Sequence, residues 1–451
     1  MTGVVELTES SLIDRLRNDE LDCIASEVEK GRRDNILKAL DERGRAQELV
    51  RQQYSGRYPF ELLQNANDAA ADADRPGRVR FVLTDAAVIA ADNGAGFGEE
   101  QIRAICGLGR SSKDPRKSVG YKGLGFKSVG EITDRPQIIS TGVTFEFDDQ
   151  RVRDTVAAAA GSLDPLQRLP VYAFPFPVNE AEIGSDAVVL RDARADGFTT
   201  MLRLPLRPGL PREDVEQHLV ESLLPRLLLF LTAVEEIELV GTSSDFLAVV
   251  GRESHDLHDE VLLETNGSMA HWLVYRKWID TDRALVEPLG DAWAEVERVQ
   301  VGIGVPLDAQ GFPSDEALFP LHVYFPTEES TGLPVVIHGD FALQIDRRQL
   351  ATSPETTPYN DTLIRAVAEF LAGTVAPDLA ERFPGTAASV TAVTPRTPAT
   401  GSVSCASSGP SRSCGRHGFC PQRTEPSECL PRLCCCPMVF QTLRRRIANS
   451  T

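Results

Sequence analysis

Glu61, Asn65 and Asp68 fall four and three residues apart in the stretch Phe60-Glu61-Leu62-Leu63-Gln64-Asn65-Ala66-Asn67-Asp68-Ala69-Ala70. No other segment constrains the chain as tightly. At 3.6 residues per turn, those spacings put three polar side chains on one helical face. The remaining positions are mostly Leu and Ala, strong helix formers able to bury the rest of the helix. A polar stripe on an otherwise buriable helix is costly unless it meets an ion, water or a ligand. Taken alone, the pattern fits either a solvated acidic face or the wall of a site.

At 451 residues the chain exceeds one typical core, so two or three domains are expected. A hydrophobic content of 42% and a charged content of 25% describe a soluble globular protein. The net charge of −19 argues against non-specific binding to nucleic acid or an anionic membrane, while leaving room for a local basic patch. The polar, acidic segment from Met1 to Glu20 has no secretory signal. The longest apolar run, Leu223 to Val234 with Arg226 inside it, is too short to span a bilayer core of about 30 Å and is expected to be a buried helix. Only Cys23 and Cys106 precede position 400, which fits a reduced compartment, and a cytoplasmic location is expected. Seven more cysteines lie between Cys405 and Cys436, and the triplet Cys434-Cys435-Cys436 lacks the paired spacing of a zinc ribbon. Residues 385–451 are expected to form a disordered tail, and the abrupt change of composition there looks like translation out of frame.

Along the chain, residues 5–53 read as helical, and Pro59 suits the first turn of the next helix, where its missing N–H costs nothing. Arg78 to Leu83 alternates like a half-buried strand, and Ala86 to Ala91 is a second, wholly apolar one. A short helix (Glu99 to Leu108), a polar loop (Gly109 to Val119) and a further helix opened by Gly120 to Val129 follow. Strands resume at Pro136 to Ser140 and Thr144 to Phe147, and residues 151–197 read as irregular. Thr199 to Leu204 is a strand and Pro205 to Pro211 a linker. The pattern predicts an α+β fold: a helical lead-in over 1–57, one domain over 58–206 and a second α+β domain over 212–383.

Three glycine-bearing segments then need a common explanation. Asp92-Asn93-Gly94-Ala95-Gly96 follows a buried strand, where a carboxylate can accept from an exocyclic amine and glycines allow close approach of a flat ring. Gly120-Tyr121-Lys122-Gly123-Leu124-Gly125 precedes a helix, a place for phosphates, with Lys122 and Lys127 adding positive charge. No Gly-Lys-Ser/Thr closes this loop as a P-loop requires, and the βαβ context of a dinucleotide fingerprint is missing. The order is informative: an acidic-amide helix, Asp-x-Gly-x-Gly after a strand, Gly-x-x-Gly-x-Gly before a helix, then a Thr on a strand.

In that order the motifs resemble the GHKL superfamily of ATPases, which includes the ninety-kilodalton heat-shock chaperone, the gyrase B subunit, MutL and the sensor histidine kinases, and they look closest to its sacsin branch. Glu61 to Ala69 is similar to the family's N-box, with Asn67 where sacsins usually carry Asp, and Gly120 to Val129 is similar to the sacsin glycine lid. The resemblance implies a two-layer α/β sandwich of Bergerat type that binds ATP with Mg²⁺. It also implies roles. Asn65 would ligate Mg²⁺, Glu61 would act as general base on water, and Asp68 would lie near the nucleotide. Asp92 would receive the adenine amine, supported by Thr200. Gly94 and Gly96 would shape the base pocket, and Gly120, Lys122, Gly123 and Gly125 would hold phosphates. The loop from Gly109 to Val119, with Ser111 and Ser112, resembles a mobile lid.

Phe341 to Leu350 looks like the sacsin equivalent of the chaperone's catalytic loop, with Arg347 facing the γ-phosphate, or else part of a surface arginine pair, and Gln344 as a second candidate. A histidine kinase is disfavoured, because no histidine precedes His218. Two functions remain: slow ATP hydrolysis driving a chaperone-like conformational cycle on a client protein, or a nucleotide-gated module with little turnover in a bacterial defence or DNA-processing system. Many relatives dimerise, so a nucleotide-dependent homodimer is an expectation of the resemblance. Nucleic acid is disfavoured by the acidic balance, and no membrane partner is expected.

Overall fold

The computed structural model describes residues 9–107, 125–178, 182–290, 293 and 296–385. The expected tail from residue 386, the loop Gly109 to Val119 with Ser111 and Ser112, and Gly120, Lys122 and Gly123 lie outside the described residues. Among the described residues the fold is mixed α+β, with ten α-helices and one sheet of fourteen strands.

Two long helices lead in, α1 (Glu9–Glu29) and α2 (Arg33–Gln53), followed by α3 (Tyr58–Asp72) with Pro59 in its first turn. Next come β1 (Gly77–Leu83), β2 (Ala87–Asp92) and α4 (Glu99–Cys106). β3 (Gln137–Ser140), β4 (Val143–Glu146), α5 (Asp149–Ala160), β5 (Phe176–Pro177), α6 (Asp186–Ala195) and β6 (Thr200–Pro205) complete the first half. β1 is buried at every second residue, as its alternating sequence requires. β2 is apolar up to its terminal Asp92 because both faces are covered. Val88 and Ala90 join the core under α3, whereas Ile89 and Ala91 pack on the opposite side with Leu190 and Ala193 of α6.

The second half adds α7 (Arg212–Ser222), β7 (Val234–Val240), β8 (Phe246–Ser254), β9 (Asp259–Thr265), β10 (Ser268–Asp280), α8 (Arg283–Val286), β11 (Arg298–Leu307), β12 (Phe319–Val323), β13 (Phe325–Leu333), β14 (Val336–Gly339), α9 (Thr357–Phe370) and α10 (Ala376–Arg382). The sheet order is β13-β12-β14-β11-β10-β9-β8-β7-β1-β2-β6-β3-β4-β5. It runs unbroken across the junction near 206–212, through the parallel pairing of β1 with β7. One hydrophobic core draws on both halves, from Leu12 and Phe81 to Ile237, Phe325 and Val336.

Three local expectations are corrected. The Leu223–Val234 run is buried but is not an α-helix: it forms a 3₁₀ turn over Pro225–Leu229 and then enters β7. Pro225 holds Leu224 in extended backbone (ψ 139°), which stops a helix from running through. Residues 151–197 contain much of α5 and all of α6 rather than irregular chain. Each buries only three positions, too narrow a stripe to read from periodicity, although Asp148 caps α5 by accepting from Arg151 N at 3.0 Å. The segment after the glycine-rich stretch, Gly125–Glu131, is a 3₁₀ helix rather than an α-helix.

Candidate functional site

Helix α3 carries the polar stripe into the interior. Glu61 is 3% exposed, Asp68 is buried beside it, and Asn65 between them is half-buried. No hydrogen bond ties the Asn65 amide to another described residue, so its carbonyl oxygen is available to a cation or ligand. Gly125 abuts the carboxylate of Glu61 so closely that a Cβ there would lie 1.7 Å from Glu61 Oε2. Only glycine fits, which ties the end of the glycine-rich segment to the acidic end of α3.

Arg347 reaches this carboxylate from the far half of the chain. It is 9% exposed, so it does not form a surface pair, and its Nη1 donates to Glu61 Oε1 at 2.9 Å and to Gln64 Oε1 at 2.8 Å. The loop that carries it is built for the purpose. Leu343 and Leu350 bridge its stem, Gln344 N donates to Gln349 O at 2.9 Å, and Arg347 N donates to Gln344 O at 3.0 Å. Arg347 sits in the left-handed region (φ +57°), a conformation costly for a non-glycine residue. Asn360 of α9 clamps the base of the loop, accepting from Ala342 N and donating to the carbonyls of Ala342 and Ala351, and Glu329 of β13 accepts from Leu350 N. The Gln344 amide turns inward to Gln349 Oε1 and Leu350 O, so it braces the loop.

The other end of the site lies at the close of β2. Asp92 pairs in register with Thr200 on β6, and Thr200 shares a 3.1 Å hydrogen bond with Ser140 on β3. Gly94 N donates to Asp92 Oδ1 at 2.8 Å. Asp92 is hemmed in by protein yet keeps partial exposure, and this burial pushes its carboxyl up to about 7, against the pull of the Gly94 N–H and of Arg75. Gly94 packs on α3: a Cβ there would come within 2.4 Å of Ala69 Cβ, and Ala95 N donates to Ala69 O. That contact fastens the Asp92 end to the Asp68 end. Gly96 adopts φ +84° beside Ser140 Oγ, which also accepts from Phe97 N.

Lys127 departs from its expected place beside phosphates. Lys127 is 1% exposed; its ammonium donates to Gly107 O at 2.8 Å and lies 5.4 Å from the Tyr172 ring, and burial lowers it to about 8. The carbonyl at the end of α4 and the Tyr172 ring hold it there.

Three participants were not singled out beforehand, and a fourth, Asn67, was marked only as a departure within its motif. Gln64 could have been found, since it lies three residues after Glu61 on nearly the same face. Arg57, 6% exposed and stacked 4.6 Å from the Phe60 ring, precedes the helix and gave no signal. Ser140 looked like an ordinary strand residue. Asn67 is a structural clamp: its Oδ1 accepts from the backbone of Thr232, Ala233 and Val234, and its Nδ2 donates to Thr232 Oγ1 at 3.1 Å.

A mixed α+β fold whose N-terminal half holds the Glu61, Asp92 and Thr200 elements fits the sequence comparisons. Residues 45–247 match the family model described as Sacsin domain. The chain is homologous to Protein NO VEIN of Arabidopsis thaliana, 28% identical over 369 residues, which cover 79% of this chain and 12% of that protein. It is also homologous to Sacsin of Homo sapiens, 28% identical over 207 residues, covering 40% of this chain and 4% of that protein. The chain thus spans a small fraction of the length of either relative. Among the described residues, no helix is long and apolar enough to cross a membrane.

Proposed function

We propose that the chain is a Mg²⁺-dependent ATP-binding module that hydrolyses ATP slowly, as the GHKL resemblance implies, and couples the bound state to a conformational change. The observation that carries this reading is the Arg347–Glu61 contact, which joins residues 286 positions apart at 2.9 Å. A buried arginine held in strained backbone against a buried carboxylate is costly to maintain for stability alone.

The donor set fits the ligand. The Asp92 carboxylate retains an oxygen outside the Gly94 contact and suits an exocyclic amine. The half-buried Asn65 carbonyl suits a hard cation that needs oxygen ligands. Bound Mg²⁺·ATP would supply the phosphoanhydride and the charge neutralisation. Glu61 would accept the proton of an attacking water once its carboxylate is released. Arg347 would leave Glu61 for the terminal phosphate, so that one movement frees the base and places a cation where negative charge develops. The same pairing supports a second reading. While Arg347 holds Glu61, the base is engaged, and a module that stayed in this state would bind nucleotide with little turnover. A client or effector protein, and a nucleotide-dependent homodimer, belong to the proposal as consequences of the resemblance.

Replacing Arg347 separates the two. The hydrolytic reading expects Arg347→Ala to lower kcat by about 10³-fold, as loss of an arginine finger does, with ATP affinity kept within about threefold. Steady-state turnover alongside equilibrium ATP binding measures this. An unchanged, measurable kcat would remove Arg347 from the reaction, and absence of turnover in the unaltered protein that binds ATP would favour the gated module.

A further inference from the structure

The turn between β8 and β9 gathers side chains that metal ions seek. Ser254 pairs with Asp259 at the end of the hairpin, and His255 N donates to His258 O at 2.9 Å, which closes the turn tightly. One step back, Glu253 stands directly across from Glu260 in register. Carboxylates opposite each other on one sheet face repel, and a cation beside them removes that cost. The side chains converge. The Nε2 atoms of His255 and His258 each lie 3.9 Å from Glu260 Oε1, and the ligating atoms of the three residues all fall within 4.8 Å of one another. His255 Nε2 is also 4.0 Å from Glu253 Oε1.

His258 is oriented as a metal ligand is. Its Nδ1 faces Asp378 Oδ2 at 3.7 Å, and the Tyr275 hydroxyl fixes that carboxylate by donating to it at 2.6 Å. A carboxylate behind the ring favours the proton on Nδ1 and leaves a lone pair on Nε2. Nε2 meets the Arg382 guanidinium of α10, which has donors only, so Nε2 is the acceptor there. Arg382 also donates through Nη2 to Glu260 Oε1 at 2.7 Å. One cationic side chain therefore touches two of the three ligands. It is partly exposed and lies 5.4 Å from the Phe383 ring, so it can withdraw without unpacking the core. We propose that His255, His258 and Glu260 bind Zn²⁺ in the place that Arg382 holds. Two imidazoles and a carboxylate suit zinc, whereas Mg²⁺ and Ca²⁺ favour oxygen ligands. Tetrahedral bonds of about 2.1 Å put ligand atoms about 3.4 Å apart, so the separations present must close by at most about 1.4 Å. The exposed side chains of His255 and Glu260 supply that movement, and water takes the fourth position. None of these residues belongs to the nucleotide site, so the inference stands apart from ATP binding.

The test is titration of the full chain with Zn²⁺ against a fluorescent zinc chelator, without nucleotide and in millimolar Mg²⁺ to fill oxygen-rich sites. The nine cysteines are common to every variant, so the difference between variants reports the turn alone. At micromolar free metal the unaltered chain is expected to bind one Zn²⁺ more than His255→Ala, and Glu260→Gln should weaken that ion at least tenfold. Arg382→Met removes the competing guanidinium and should tighten the ion at least threefold. Equal zinc stoichiometry in the unaltered chain and His255→Ala would overturn the proposal. So would an affinity in Arg382→Met that is unchanged or weaker. His255 and Arg382 both lie at the surface, so neither replacement opens the core.

Discussion

Single residues in this protein do work that their neighbours make possible, and Asp92 is the clearest case. Its carboxyl is raised from an ordinary 3.8 to about 7 by burial. The folded state therefore holds the proton more tightly than the unfolded chain. The stabilisation this gives is fully present below about pH 4 and is lost as pH rises through about 7. An exocyclic amine needs the ionised carboxylate as acceptor, so the same titration governs the proposed base contact. Adenosine, which carries no phosphate to titrate, is expected to bind more tightly as pH rises from 6 to 8. Asp92→Asn should bind it weakly, with no such slope. Equilibrium binding across that range measures both, and a flat profile for the unaltered protein would separate Asp92 from base recognition. The position of Asp92 was legible because a lone carboxylate followed by two glycines ends an apolar strand. Its link to α3 was not, since Gly94 looked like a ring-stacking glycine and is held by contact with Ala69.

At the scale of elements, the recurring device is a polar side chain that fastens one segment to another distant in sequence. Asn67 is the strongest of these, because one amide oxygen serves three successive N–H groups at the entry to β7. Asn67→Ala would leave those groups short of an acceptor in a buried place, at about 1–3 kcal/mol for an unsatisfied buried group. A clear drop in the denaturation midpoint is expected. Asn67→Asp keeps the acceptor, and the Thr232 hydroxyl can become the donor, so its midpoint should stay close to that of the unaltered chain. Equal losses in both variants, seen by chemical denaturation, would contradict the clamp. The sequence marked Asn67 only as a departure within a motif, because a side chain's partners 165 residues away leave no local trace. Helices α1 to α4 and strands β1 to β4 were readable for the opposite reason: period and capping are local. Helices α5 and α6 were missed because their buried stripes are short. The Leu223–Val234 run was misread because continuous apolarity does not distinguish a helix from a buried turn.

For the whole molecule, the unbroken sheet joins what the sequence divides. β1 pairs with β2 on one side and with β7 on the other, and one core reaches from Leu12 to Val336. The halves are therefore expected to unfold together, with calorimetric and van't Hoff enthalpies in agreement. Two resolved thermal transitions would instead mean that the halves are independent. The same continuity lets Arg347 meet Glu61 with little freedom in the approach, and a loop braced by Asn360 and Glu329 sets the final geometry. Motif order in the first half was enough to expect the site, and Arg347 was named with two alternative roles, facing the γ-phosphate or belonging to a surface arginine pair. The contact itself depends on sheet pairing that no motif encodes. Glu61 is proposed as the base of an ATP site whose arginine, Arg347, comes from the other half. The most direct measurement is ATP turnover and ATP affinity of Glu61→Gln beside the unaltered chain. Affinity is expected to be retained and turnover lowered by about 10²-fold or more, the scale of a general base. Turnover that is unchanged in Glu61→Gln would contradict it.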